Sequence, residues 1–92
     1  MKKAAKIVVS GTVQGVFFRG FVKKKADDIG LAGFVRNLGE GDVEIVVEGT
    51  RDEINKLVDF CKEGPRHSMI KGVKTTEIPW NGEFKDFKIL RF

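Results

Sequence analysis

Lys6-Ile7-Val8-Val9-Ser10-Gly11-Thr12-Val13-Gln14-Gly15-Val16-Phe17-Phe18-Arg19-Gly20-Phe21-Val22 changes its hydrophobic period partway along, and that change decides the fold. Up to Val13 the pattern alternates. Ile7, Val9, Gly11 and Val13 share one side and Val8 takes the other, as in a strand with one buried face. Gln14-Gly15-Val16 interrupts it. From Phe18 onward the spacing is helical, with Phe18, Phe21, Val22, Ala26 and Ile29 on one stripe and Lys23, Lys24, Lys25, Asp27 and Asp28 left for solvent. A helix is therefore expected to begin at about Arg19 and to end at Gly30, a residue suited to the left-handed position that closes a helix.

Beyond this switch, Gly33-Phe34-Val35-Arg36-Asn37-Leu38 reads as extended chain, and Gly39-Glu40-Gly41-Asp42 carries hairpin-turn chemistry. Val43, Ile45 and Val47 then alternate with Glu44, Val46 and Glu48, so the face bearing the two glutamates is expected to be wet. Thr50 and Glu53 form a capping box ahead of a second amphipathic stripe of Ile54, Leu57, Val58 and Cys61, which Gly64-Pro65 ends. Met69 to Ile78 and Phe84 to Phe92 are the last extended pieces, with Pro79-Trp80-Asn81-Gly82-Glu83 between them. Two helices cannot cover both faces of so wide a sheet. The order strand, helix, strand, strand, helix, strand, strand predicts an α+β, ferredoxin-like two-layer sandwich, βαββαβ(β), with an antiparallel sheet and both helices on one face.

Ninety-two residues suit a single domain spanning 1–92, and an apolar share of 41% beside 33% charged residues is that of a globular chain. No apolar run reaches the roughly 18–20 residues of a membrane helix, so no membrane partner is expected. The basic start is followed by strand-like sequence broken by Ser10, Gly11 and Thr12, unlike a signal peptide. With a lone Cys61, a reducing cytoplasm is the expected setting. Seventeen Lys and Arg against thirteen Asp and Glu give a charge of +4, which favours encounter with anions without naming one. One cysteine and one histidine, His67, cannot supply the roughly four ligands of a zinc site, and no nucleophile motif accompanies His67. His67 reads as a surface-loop residue, Cys61 and most phenylalanines as core, and Trp80 as partly exposed. Abundant charge with a single glutamine leans toward a heat-adapted source.

Chemistry is best supported where the first strand hands over to the first helix. Several N–H groups there have no intrahelical acceptor. Gly15 allows the main chain to curl so that these groups converge into an anion nest, and the helix dipole adds positive potential at the same point. Arg19 contributes a planar cation that grips two phosphate oxygens. The nucleotide-binding pattern G-x-x-x-x-G-K-[ST] is absent. A dianionic tetrahedral group fits this pocket, although a plain strand-to-helix turn with a solvated arginine has the same spacing. Asn37 falls at the same edge of the sheet, because the first two strands of a split βαβ unit run parallel. Its amide suits either holding a water molecule or capping the following turn.

Val9-Ser10-Gly11-Thr12-Val13-Gln14-Gly15-Val16-Phe17-Phe18-Arg19 resembles the acylphosphatase signature V-x-G-x-V-Q-G-V-x-F-R. Gly30-Leu31-Ala32-Gly33-Phe34-Val35-Arg36-Asn37 is similar to that family's second motif, G-L-x-G-[WF]-V-R-N, and Gly41, Val43, Glu44, Gly64-Pro65 and Phe87-Lys88-Ile89 continue the match. The departures are Glu40 where Asp is usual, Phe34 where Trp is common and Ser68 where Ala is frequent. The resemblance implies hydrolysis of a small-molecule acyl phosphate to a carboxylate and inorganic phosphate, with no metal or other cofactor. It implies Arg19 and Asn37 as catalytic, Asn37 positioning the attacking water. The phosphate would be bound by the N–H groups of Gly15, Val16, Phe17, Phe18 and Arg19.

The chemistry is consistent with so few groups. A departing carboxylate has a conjugate acid near pKa ~4 and leaves without a proton at neutral pH, while phosphoryl transfer depends on placement and charge stabilisation. The water's proton can pass to a phosphate oxygen. A nucleic-acid module of the same element order is the first rival, but its strand motif is replaced here by Asp42-Val43-Glu44-Ile45-Val46-Val47-Glu48, so no nucleic-acid partner is expected. The second rival is an anion-binding regulatory domain without turnover. A monomer is expected, with an exposed edge strand leaving dimerisation open.

Overall fold

Alternating side chains carry the first strand, β1, over Lys2–Thr12, four residues further upstream than the pattern from Lys6 indicates. The computed structural model describes residues 1–13 and 16–91, with Val16 by its main chain alone. The expected interruption at Gln14-Gly15, the Gly15 part of the nest and the placement of Phe92 lie outside the described residues. Helix α1 spans Val16–Ile29, β2 spans Ala32–Asn37, β3 spans Val43–Thr50, α2 spans Arg51–Glu63, β4 spans Met69–Ile78 and β5 spans Phe87–Ile89. Helix α1 thus starts three residues before Arg19. The apolar stripe marks only its buried side, and Phe17, at 70% exposure, lies off that stripe and outside the expected phenylalanine core.

Both helix ends have local causes. Gly30 and Leu31 each donate a main-chain N–H to the Ala26 carbonyl at 2.9 Å, closing α1. The expected capping box of α2 forms: Glu53 N donates to Thr50 Oγ1 at 3.2 Å, and Thr50 N donates to Glu53 Oε1 at 2.9 Å.

The sheet order is β4-β1-β3-β2-β5. Three pairings are antiparallel, and β5 adds in parallel beside β2 (Gly33 opposite Phe87, Val35 opposite Ile89), making an otherwise antiparallel sheet mixed at one edge. This is the ferredoxin-like βαββαβ arrangement with a fifth strand added. Ile7, Val9, Val35, Val43, Ile45 and Val47 from the sheet join Phe18, Val22 and Ala26 of α1 and Ile54, Leu57 and Cys61 of α2 in one core, so both helices pack on the same face. At Gly33 the φ is +145°, and a Cβ there would strike the Val46 carbonyl of the neighbouring strand, so only glycine fits.

The glutamate face departs from its expectation. Glu44 and Glu48 are 8% and 7% exposed and are not wet. Strand β4 lies at one edge and β5 at the other, so the connection 79–86 must cross the sheet, and it does so over the face without helices. Glu48 there accepts the N–H groups of Gly82 at 3.0 Å, Glu83 at 3.4 Å and Phe84 at 3.2 Å. Glu44 accepts from Arg36 Nε at 2.8 Å and lies 3.9 Å from Lys6 Nζ. Phe34 meets Phe84 edge-on, with ring centroids 5.8 Å apart, beneath the same crossing.

Candidate active site

The end of β1 is re-aimed before it reaches α1. Its pairing with β4 shifts register between Ser10 and Gly11. Gly11 sits there at φ +131°, where a Cβ would meet the Met69 carbonyl. Such a bulge bends a strand and turns the chain beyond it in a new direction. Val13 is buried just past this point, and α1 begins at Val16.

The first turn of α1 contains no acidic side chain, whereas α2 has Asp52 and Glu53 in its first turn and a complete capping box. The leading N–H groups of any helix lack intrahelical acceptors and carry the positive end of its dipole. Nothing anionic from its own first turn offsets that potential in α1. Among the expected phosphate-binding residues, Val16 to Arg19 form this first turn, and Gly15 lies outside the described residues.

Arg19 is not the solvated side chain of the simple-turn reading. It is 8% exposed, and its Nη1 donates to the Leu90 main-chain carbonyl at 2.9 Å. Leu90 in turn donates its N–H to the Val35 carbonyl at 2.9 Å, so the guanidinium is seated over the junction of β2 and β5. One turn further along α1, Lys23 repeats the device, reaching the Phe87 carbonyl at 3.0 Å while pairing with Asp27 at 2.9 Å. Two cations on one helix face therefore hold the Phe87 carbonyl at the start of β5 and the Leu90 carbonyl just past its end.

Asn37 is the last residue of β2, opposite Val43. It lies two residues beyond Val35, hence on the same helix-side face and about 7 Å further along the strand. The chain of contacts through Leu90 thus brings the Arg19 guanidinium and the Asn37 amide to one end of the sheet. The adjoining hairpin closes through its own main chain, Leu38 N to the Asp42 carbonyl at 2.8 Å and Gly41 N to the Leu38 carbonyl at 3.4 Å. Asn37 Oδ1 takes no part in that closure. It is buried and has no hydrogen-bond partner among the described residues, a costly state for an amide oxygen unless a donor reaches it from beyond them.

Several groups remain apart from this arrangement. His67 is exposed in the turn after α2, at φ +72°. Cys61 is buried in the core as expected, and burial pushes its thiol pKa up to about 12. The Glu53 carboxyl lies below its ordinary value, chiefly because the Thr50 main-chain N–H bonds its charged form. Trp80 is half exposed within the crossing segment. No helix among the described residues is long and apolar enough to cross a membrane. The Leu90 carbonyl was not legible in the sequence. It is a main-chain atom 71 positions from the arginine it holds, and side-chain patterns carry no signal for it.

Comparisons with known sequences and structures find acylphosphatases. The acylphosphatase family profile matches residues 5–89. An acylphosphatase of Syntrophus aciditrophicus is 44% identical over 90 residues, covering 98% of this chain and 94% of its own. The solved structure of an acylphosphatase from Coxiella burnetii is similar with a TM-score of 0.90 at 42% identity, over 97% of this chain and 93% of that one. An acylphosphatase crystal structure from Bacillus subtilis gives a TM-score of 0.90 at 37% identity, over 98% of this chain and 99% of that one.

Proposed function

We propose that this chain, which belongs to the acylphosphatase family, hydrolyses the carboxyl–phosphate bond of small acyl phosphates, with Arg19 and Asn37 as its catalytic residues and no metal. The phosphoryl group binds at the start of α1, where the N–H groups of Gly15 to Arg19 and the helix dipole meet its negative charge. The Arg19 guanidinium has five donors in a fixed fork, enough to serve the Leu90 carbonyl and an incoming phosphoryl oxygen together. Asn37 Oδ1 accepts a hydrogen bond from water and aims that water's oxygen at phosphorus.

As the water oxygen bonds to phosphorus, the bond from phosphorus to the acyl oxygen breaks. The electron pair of that bond leaves on the carboxylate. One water proton passes to a phosphoryl oxygen, so the products are a carboxylate and dihydrogen phosphate. The leaving group needs no acid, because its conjugate acid titrates near pKa ~4. Arginine and the amides supply charge stabilisation that a metal provides elsewhere.

The observation carrying this reading is the buried Asn37 Oδ1, without a partner among the described residues, at the same sheet end as the anchored Arg19. A site assembled within one chain supports a working monomer, and a single buried thiol suits the cytoplasm. The test is phosphate release from acetyl phosphate and benzoyl phosphate with chelator present. Wild type should be active, Arg19→Ala should lose at least about 10²-fold in kcat/KM, and Asn37→Ala about 10²-fold in kcat with KM little changed. Near-normal turnover in either variant, or loss of wild-type activity to the chelator, would overturn the assignment.

A further inference from the structure

One exposed aromatic side chain beside this site, whose main-chain N–H alone is assigned to the phosphate, has no part in water attack. Phe17 is 70% exposed, in the first turn of α1. Together with Gly20, Phe21, Lys24 and Pro65 it lines an open depression on the side of α1 toward the turn that follows α2. At Gly20 an added Cβ would meet nothing within 4 Å, so the described residues leave the depression unfilled there.

Its position relative to the reaction comes from helix geometry. Phe17 and Arg19 are two residues apart on a helix of 3.6 residues per turn, so their side chains point about 200° apart around the axis. Arg19 turns toward β5 and the Asn37 end of β2, as its bond to Leu90 requires. Phe17 turns the opposite way, toward Pro65. Phosphoryl transfer holds the attacking and leaving oxygens in line across phosphorus. A phosphoryl group at the start of α1, attacked by water from the Asn37 side, sends its acyl group out on the far side. That side is the one bearing Phe17.

We propose that Phe17, with Gly20, Phe21 and Pro65, is the acyl subsite, and that it selects acyl phosphates carrying an aromatic or extended apolar group over acetyl phosphate. This rests on the hydrolase reading and adds its specificity. An aryl group stacked on Phe17 leaves water on both sides of the contact, and binding energy from a part of the substrate remote from phosphorus is available to the reaction.

The experiment measures kcat/KM for benzoyl phosphate and acetyl phosphate in wild type, Phe17→Ala and Phe17→Leu. In parallel, calorimetry follows binding of benzoylphosphonate and acetylphosphonate, which cannot be hydrolysed. The benzoyl-to-acetyl ratio should fall about tenfold in Phe17→Ala, through the KM of the benzoyl substrate, in keeping with the modest selectivity of apolar pockets. Phe17→Leu should restore most of it. The phosphonate affinities should move in the same proportion. An unchanged ratio in Phe17→Ala, or an equal loss on both substrates, would overturn the subsite. A wild type that turns over neither substrate yet binds benzoylphosphonate more tightly through Phe17 would support the subsite while removing the hydrolase.

Discussion

Arg19 combines a mobile side chain with a fixed position. A long guanidinium side chain loses up to about 2 kcal/mol of rotamer entropy when it is ordered, and here that ordering is complete before any substrate arrives. Burial to 8% exposure and the Leu90 carbonyl at 2.9 Å define its place. Preorganised charge of this kind needs no rearrangement as the reaction proceeds. Lysine at the same position keeps the charge but lacks the fork that serves a carbonyl and an anion together. Arg19→Lys should therefore lower kcat/KM by about 10²-fold while circular dichroism and the thermal midpoint stay near wild type. Retention of most of the activity would show that charge alone suffices. The sequence pointed to candidate side chains and was silent about what holds them. Arg19 and Asn37 stand out by position, whereas the Leu90 carbonyl is a main-chain atom that no pattern of residue types encodes.

The two helices show why some elements are easier to read than others. The boundaries of α2 are written in side chains, since Thr50 and Glu53 bond each other's main chain and Gly64 closes the far end with its N–H on the Phe60 carbonyl at 2.8 Å. No such capping pair is written at the start of α1, and the apolar stripe misplaced it by three residues because Phe17 faces solvent and lies off that stripe. Cys61, on the buried side of α2, gives this element a measurable pH response. Burial raises its thiol from an ordinary value of 9.0 to about 12. Between those values the unfolded chain releases a proton that the native chain keeps, so this contribution to stability is whole below about pH 9 and shrinks as pH rises toward 12. Urea midpoints at about pH 8 and about pH 10 should fall more steeply with pH in wild type than in Cys61→Ala. Parallel slopes would mean that the native thiol ionises as readily as the unfolded one.

Across the whole molecule, the sheet order obliges the chain to travel from one edge to the other between β4 and β5. Glu48 is what fastens that passage, by collecting three successive N–H groups on one carboxylate. Alternation along β3 placed Glu48 on the correct face and misjudged its surroundings, because a pattern within one strand says nothing of a distant segment of the chain that lies across it. Replacing Glu48 with alanine removes charge-assisted bonds worth about 1.5–3 kcal/mol in similar settings. Glu48→Ala should lower unfolding stability by about that amount. It should also reduce kcat, because a looser crossing loosens β5 and, with it, the Leu90 carbonyl beneath Arg19. A variant as stable and as active as wild type would show that the crossing is held by Phe84 against Phe34 instead.

The bond from Arg19 to Leu90 also sets an order of events in time. On the proposed reading, both motifs that meet the phosphate are translated before the carbonyl that seats the guanidinium, which lies 71 positions after Arg19. A nascent chain still threaded through the ribosome at Leu90 carries those motifs without a competent centre. On that reading, catalysis waits until synthesis has passed Leu90.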